Sequence, residues 1–327
     1  MEKANKLLVN VSGSGSALLL VILVILNCVF TPNFMSVSAL WNILLQAFPI
    51  LIISLGMTLV VATGGIDISV GATMAISATL FAKILFQSEM SLGAALAGAL
   101  LASVVFGLFN GIMVSIFNIQ PIIVTLILSI AGRGIAQQLV NGGVISFYGN
   151  KYAEFGVLRL FDVLPVQVLM IAVVAAVIIF ITKKTTLGMQ LQAIGDNYSA
   201  SKFSGINAVG TIIAVYVICA SLAGGAAIME TLRLCSADPN NMGTAIELNC
   251  IAAVTVGGTS MRGGKAKIVG SLIGALIMQV ITTMVNMNNI QYEYSLIIKS
   301  AIIIFALYLQ NKPGRRMNLG KAQKSFT

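Results

Sequence analysis

The chain has 327 residues, 58% of them hydrophobic and only 9% charged. Soluble domains carry about 25% charged residues, so a large soluble core is excluded. The 19 lysines and arginines outnumber the 10 acids, and histidine is absent, which removes the usual zinc sites, serine–histidine pairs and histidine proton relays. The cations lie in short clusters between apolar runs, an arrangement that suits an anionic membrane leaflet and not nucleic acid. The expectation is an all-α polytopic bundle in a lipid bilayer, with no cofactor and no metal.

In chain order, Lys3 and Lys6 precede an apolar run from Ala17 to Phe30. No small-x-small cleavage site follows, and Thr31-Pro32-Asn33 reads as a helix end, so this is a retained first membrane helix and not a signal peptide. A membrane helix needs about 20 mostly apolar residues. Such stretches fall at 15–31, 38–62, 72–87, 91–117, 121–141, 163–182, 211–232, 244–260, 268–288 and 294–311, about ten spans, with Pro32, Pro121, Pro165 and Pro313 at edges. With a cytoplasmic N-terminus, Lys183, Lys184 and Lys202 share the inner side with Arg262, Lys265 and Lys267 and with a basic tail over 313–327. The outer loops match cations with acids: Lys151 with Glu154, Arg159 with Asp162, Arg233 with Asp238. An even span count puts both termini in the cytoplasm, as one transmembrane domain over 1–312 followed by the tail.

Segments 92–111 and 270–278 place Gly, Ala and Ser at spacing three or four, the pattern that lets helices pack closely in lipid. "VVATGGIDISVGA" and "AAVTVGGTSMRGG" each set a Gly-Gly pair at the end of an apolar run, a short match suggestive of an inverted repeat. The four cysteines (Cys28, Cys219, Cys235, Cys250) form no CxxC motif. Free thiols are the reading, with Cys235–Cys250 the one conceivable bridge.

"VGGTSMRGGKAK" (256–267) fails as a phosphate loop: Thr259 stands at the first glycine, Ala266 at the hydroxyl position, and no strand precedes it. It reads as a tight inward loop with Arg262, Lys265 and Lys267 at the lipid headgroups. Residues 183–210 form the longest cytoplasmic loop. There Leu187, Leu191 and Ile194 share a helical face, Gly195 interrupts, Asp196 or Asn197 caps a second short helix, and Gly205 ends it. Two such helices suit docking into a partner's groove; a plain surface loop is the alternative.

Ionisable residues within the spans are Asp67, Arg133, Glu230, Glu247 and Arg233. Intramembrane charges face a bundle interior or a water-filled path. They either line a polar pathway for a hydroxylated solute or pair structurally, for instance Arg133 with an acid. Asp67 has the same two readings. In one, Gly64 and Gly65 break a helix and Asp67 or Ser69 caps the next; in the other, Asp67 binds solute hydroxyls or holds a gate through Arg133.

"GMTLVVATGGIDISVGATMAI" (56–76), "LGMQLQAIGDNYSASKFSGIN" (187–207) and "ELNCIAAVTVGGTSMRGGKAKIVGSLIGALIM" (247–278) closely resemble permeases of the ribose/xylose/galactose-type ABC sugar importers. The resemblance runs over about residues 17–311, and "IQPIIVTLILSIAGRGIAQQ" (119–138) looks most like the galactofuranose branch. It implies the membrane permease subunit of an importer of monosaccharides in the bacterial inner membrane, not an enzyme. The implied partners are a cytoplasmic ABC ATPase, an extracytoplasmic sugar-binding protein, and a second permease copy or related chain. It implies pathway or gate residues among Asp67, Arg133, Glu230, Glu247 and Asn249. It also implies ATPase coupling through the 187–207 stretch, by Gly188, Ala193, Gly195, Asn197, Ala200, Ser204 and Gly205. Asn249 departs from the family, many members of which carry aspartate there. A gradient-driven secondary sugar transporter and an ABC permease for another small polar solute are the competing readings. A branched-chain amino acid permease would share the architecture but differ in these motifs.

Overall fold

The computed structural model describes residues 2–149, 152–160 and 164–310. The basic tail 313–327, Lys151 and Asp162 lie outside the described residues, and the pairings expected of Lys151 and Asp162 lie there with them. Twelve α-helices are described. They are α1 (Glu2–Phe30), α2 (Val37–Ala62), α3 (Val70–Ala82), α4 (Leu92–Ser115), α5 (Pro121–Leu139), α6 (Val166–Lys184), α7 (Thr186–Asp196), α8 (Tyr198–Phe203), α9 (Ala208–Leu234), α10 (Ile246–Val256), α11 (Ile268–Met287) and α12 (Tyr292–Gln310). A π-helical turn, Lys83–Gln87, extends α3. Two minimal antiparallel ladders pair β1 (Ile145–Ser146) with β4 (Ser236–Ala237) and β2 (Arg159–Leu160) with β3 (Leu164–Pro165).

The local chemistry explains these starts and stops. Ser36 and Ser91 accept from the N–H groups of Ala39 and Ala94 and cap α2 and α4. Pro121 opens α5, where its missing N–H costs nothing. Both α2 and α10 end on a glycine in the left-handed region, Gly64 (φ +84°) and Gly258 (φ +88°). In each, the next N–H reaches back to the last turn: Gly65 to Val60 and Thr259 to Val254. The two Gly-Gly stretches matched in sequence are therefore the same C-terminal cap used twice.

Among the described residues seven helices are long and apolar enough to cross a membrane: α2, α3 with its π turn, α4, α5, α6, α9 and α11. The full-length helix expected at 244–260 is corrected to a half-helix. α10 has only 11 residues, a rise of roughly 16 Å at 1.5 Å each, about half the ~30 Å of hydrocarbon. The chain enters it through a non-helical segment, 238–245, and Ala245 takes a left-handed conformation (φ 57°) at its start.

Burial sorts the bundle. In α2 the apolar window is 89% buried, whereas those of α4, α5 and α6 are 28%, 28% and 17% buried. A helix apolar all round belongs in the middle, and α2 occupies it. The outer helices expose Leu101, Val105, Ile127, Ile130 and Phe180, a band that lipid would cover. Where helices meet, small residues set the spacing. A Cβ at Gly107 of α4 would stand 2.7 Å from the Val217 Cα of α9, and one at Gly274 of α11 would strike the Ala253 carbonyl of α10. The small-residue faces expected at 92–111 and 270–278 are these seams. All four cysteines are free, as expected.

One end of the bundle gathers Lys183, Lys265 and Lys267 around a single cavity. Near the other, Phe86 stacks on Phe147 with centroids 3.8 Å apart, and Tyr152 packs edge-on against Phe86.

Candidate functional site

A polar cavity of about 220 Å³ lies among α2, α3, α9, α10, α11 and α12. Its polar wall is Gln46 of α2, Glu230 of α9, Asn249 of α10, Gln279 and Thr282 of α11, and Lys299 of α12. Residues 241–244, in the segment leading into α10, close one side. Pro49, also in the wall, removes one backbone hydrogen bond from α2 beside the cavity. Drug-sized sites run to roughly 300–1,000 Å³, so this one suits a small solute.

Hydrogen bonds fix most of the wall. Gln279 Nε2 donates to Gln46 Oε1 and Thr283 Oγ1, both at 3.3 Å. Lys299 Nζ donates to Asn249 Oδ1 at 3.0 Å. Glu230 is held by Arg233, whose Nε and NH2 groups donate to its two oxygens at 3.0 and 2.5 Å. Arg233 thus pairs with Glu230 one helical turn away and not with Asp238, which corrects the pairing expected from sequence.

Of the five expected pathway residues, Glu230 and Asn249 line the cavity, and the other three are not part of its lining. Among the described residues Arg133 forms no salt bridge, although Glu247 lies within reach of its charge: NH1 donates to the carbonyls of Pro239 (2.8 Å) and Asn240 (3.2 Å). Gln137, one turn on, donates to Asn240 Oδ1 at 2.9 Å. α5 therefore pins the loop that closes the cavity. Within that loop Asp238 accepts from Asn240 N–H at 2.9 Å and Asn241 Nδ2 at 2.7 Å. These bonds outweigh the upward pull of burial and hold its carboxyl below the usual carboxylate range. Glu247, in the first turn of α10, complements the positive helix end and faces Gly71, where a Cβ would come within 2.7 Å of its Oε2 and 2.5 Å of the Gly243 carbonyl.

Asp67 is fully buried in the break between α2 and α3. Its Oδ1 accepts from the N–H (2.9 Å) and hydroxyl (2.7 Å) of Ser69, and Asn110 Nδ2 donates to the Ser69 hydroxyl at 2.8 Å. Ser69 occupies the N-cap position of α3 but makes no side-chain cap bond; Asp67 instead closes an Asx turn one step earlier. Asp67 and Arg133 are not partners. Asp67 Oδ2 and Asn110 Oδ1, both buried, have no described donor.

The 183–210 segment forms two short helices, as expected. Asn197 caps α8 by accepting from Ala200 N–H at 3.0 Å, and Gly205 (φ +77°) follows its end. Gly195 does not interrupt: α7 runs through it to Asp196. A Cβ there would fall 2.0 Å from the Ala62 carbonyl and 2.2 Å from Gly264 N, and Gly264 N–H itself bonds that carbonyl at 2.9 Å. The glycine lets α7 touch the ends of α2 and of the loop after α10 together. Gly188 is likewise pressed against Thr182 of α6. Asn197, Ala200, Ser204 and Gly205 are exposed, Ala193 is half-buried, and Phe203 beside them is 93% exposed.

Two cations inside apolar runs escaped the sequence reading. Lys299 interrupts "LIIKSAIII", and Lys83 in "FAKILF" donates to the carbonyl of Leu139 at the end of α5. A lone lysine in an apolar run was the signal in both.

Residues 39–307 match the family described as "branched-chain amino acid transport system / permease component". The chain belongs to this family. The permease is 36% identical over 307 residues to the galactofuranose transporter permease of Escherichia coli K12, covering 90% of this chain and 88% of that one. The ribose import permease of the same strain is 36% identical over 301 residues, 91% and 93% of the two chains. Its D-allose transport system permease is 30% identical over 296 residues, 90% of each. No solved structure matches the permease. Its family description names amino acids while these relatives carry the names of sugars, in line with the motifs quoted above.

Proposed function

We propose that this permease is the membrane subunit of an ABC importer that passes a monosaccharide through the cavity walled by Gln46, Glu230, Asn249, Gln279, Thr282 and Lys299. The observation that carries this is the cavity itself: small, polar, inside an apolar bundle, and reached past a non-helical segment of the kind membranes tolerate only where it lines a path. An extracytoplasmic binding protein delivers the sugar to the side bearing residues 235–245. A cytoplasmic ATPase docks at the lysine-rich end, where Phe203, Ala200 and Asn197 form an exposed tip. The membrane is the bacterial inner membrane, both termini are cytoplasmic, and the ten crossings include the half-helix α10 completed by its entry segment. Two copies, or this chain and a related one, make the pore.

Coupling in this reading is a contact. Gly195 bears on Ala62, the last residue of α2, and on Gly264 in the loop that follows α10, two helices whose earlier residues wall the cavity. Displacement of α7 by a partner therefore reaches Gln46 and Asn249 through rigid helices.

The test is reconstitution in liposomes. With its ATPase and binding protein the permease takes up sugar on addition of ATP; alone, under a proton or sodium gradient, it takes up none. Gradient-driven uptake by the lone chain would replace this reading with a secondary transporter. In the complex, Phe203→Ser lowers ATPase co-purification and leaves the permease's own melting unchanged.

A further inference from the structure

Lys299 is 5% exposed, yet it belongs to the wall of the cavity. Taking an ammonium out of water costs several kcal/mol unless it is paired, so an acid is expected beside it. None is there among the described residues: its bond runs to the neutral amide oxygen of Asn249. The acids nearest in the fold are otherwise committed. Glu230, the one acid in the cavity wall, has both oxygens on Arg233. Glu247 faces Gly71 and feels the charge of Arg133. Glu293, in the first turn of α12, is exposed.

The other polar groups of the wall are engaged with one another. Gln46 accepts from Gln279, and the Thr282 hydroxyl bonds the Met278 carbonyl. The wall thus presents one uncompensated positive charge to whatever enters.

We propose that the cavity selects a sugar-sized solute bearing a carboxylate, and that Lys299, positioned by Asn249, determines that selectivity. This rests on the reading of the cavity as the solute site. A neutral polyol offers hydroxyl dipoles but leaves the charge unbalanced. A carboxylate offers acceptors and the missing counter-charge together, and charge-assisted bonds of this type are the stronger ones. A solute carrying an ammonium is repelled. Asn249 holds the lysine in place without neutralising it, which an aspartate at 249 would do.

The experiment measures binding of D-galacturonate, D-galactose and D-galactosamine to the purified permease by thermal shift and calorimetry, with chloride matching ionic strength. Galacturonate is expected to bind about tenfold tighter than galactose, and galactosamine weakest. Lys299→Gln and Asn249→Asp should each remove the preference for galacturonate over galactose, and a cooperative ligand-free melting transition in each variant shows it to be folded. Equal binding of the acid and neutral sugars, no binding of the acid, or a preference that survives Lys299→Gln overturns the proposal. ATP-driven uptake of a neutral sugar by the complete importer, with no acid preference in the permease, would sink this inference and leave the importer reading intact.

Discussion

Asp67 and Lys299 are both buried ionisable groups in an apolar bundle, and their surroundings differ in kind. Asp67 is built into a turn: its Oδ1 accepts at short range from the N–H and hydroxyl of Ser69, two residues on, and at 3.5 Å from Asn110 Nδ2, which also backs the same hydroxyl. Lys299 meets one side-chain amide fifty residues away and otherwise faces a cavity. The first charge is spent on holding the backbone where a helix stops and another starts. The second is presented to a space. Burial alone does not separate a structural charge from a functional one; what surrounds it does.

The sharpest way to break this comparison is at Asp67. Asp67→Ala removes the acceptor of two buried bonds and leaves the Ser69 N–H unmet, a loss of about 1–3 kcal/mol for the stranded group, so membrane abundance and melting temperature should both fall. Asp67→Asn keeps an acceptor for Ser69 and offers an N–H on the side where Oδ2 has no described donor, so abundance and most uptake should survive. An Asn variant that is abundant but inactive would move Asp67 into the transport path and erase the contrast.

Arg133 comes next in size. Arg133→Gln removes bonds from a charged donor to Pro239 and Asn240, groups of roughly 1.5–3 kcal/mol. The loss falls on the cavity-closing loop, not the bundle. Hydrogen exchange over 238–244 should quicken and uptake fall, with little change in global melting. Unchanged exchange there would remove Arg133 as the anchor of that loop.

Lys299→Met sharpens the comparison from the opposite side. Replacing a buried charge that lacks a counter-charge by an apolar chain of similar length is often neutral or stabilising. The melting temperature should hold or rise, where Asp67→Ala lowers it. A fall as large as that of Asp67→Ala would make Lys299 a structural residue too.

The smallest effect is the pH dependence of the closing loop. Asp238 has a folded value below its unfolded one. Its contribution is therefore in place above the unfolded value near pH 4 and is lost as the pH falls through the folded value. Because the group is only half-buried the effect is local. Exchange over 238–244 should rise on acidification below about pH 4, and Asp238→Asn should abolish the dependence. A pH-independent loop in the native protein would refute this.

Much of the architecture is legible because lipid imposes simple rules. Apolar length gave the helices, Gly64 and Gly258 the places where α2 and α10 stop, and Asn197 and Gly205 the bounds of α8. What misled was composition read without depth. The run 244–260 is apolar enough to count as a span, but Thr244 and Ala245 belong to its entry turn and the glycine cap at Gly257 and Gly258 ends it early, so only 11 residues are helical. Gly195 looked like an interruption, since a glycine in a helical pattern usually weakens it. Its reason is a neighbour: the Ala62 carbonyl lies where a Cβ would stand.

The sequence by itself determined that this chain lives in a bilayer, where α2 and α8 end, and which family of permeases it joins. These follow from local chemistry and from motifs contiguous in the chain. Only the tertiary structure decided which polar residues share a cavity. Gln46, Glu230, Asn249 and Lys299 come from four helices, and nothing in their spacing announces that they meet. A buried charge takes its role from partners across the bundle, and those partners are set by helix packing, a long-range property that no local pattern encodes.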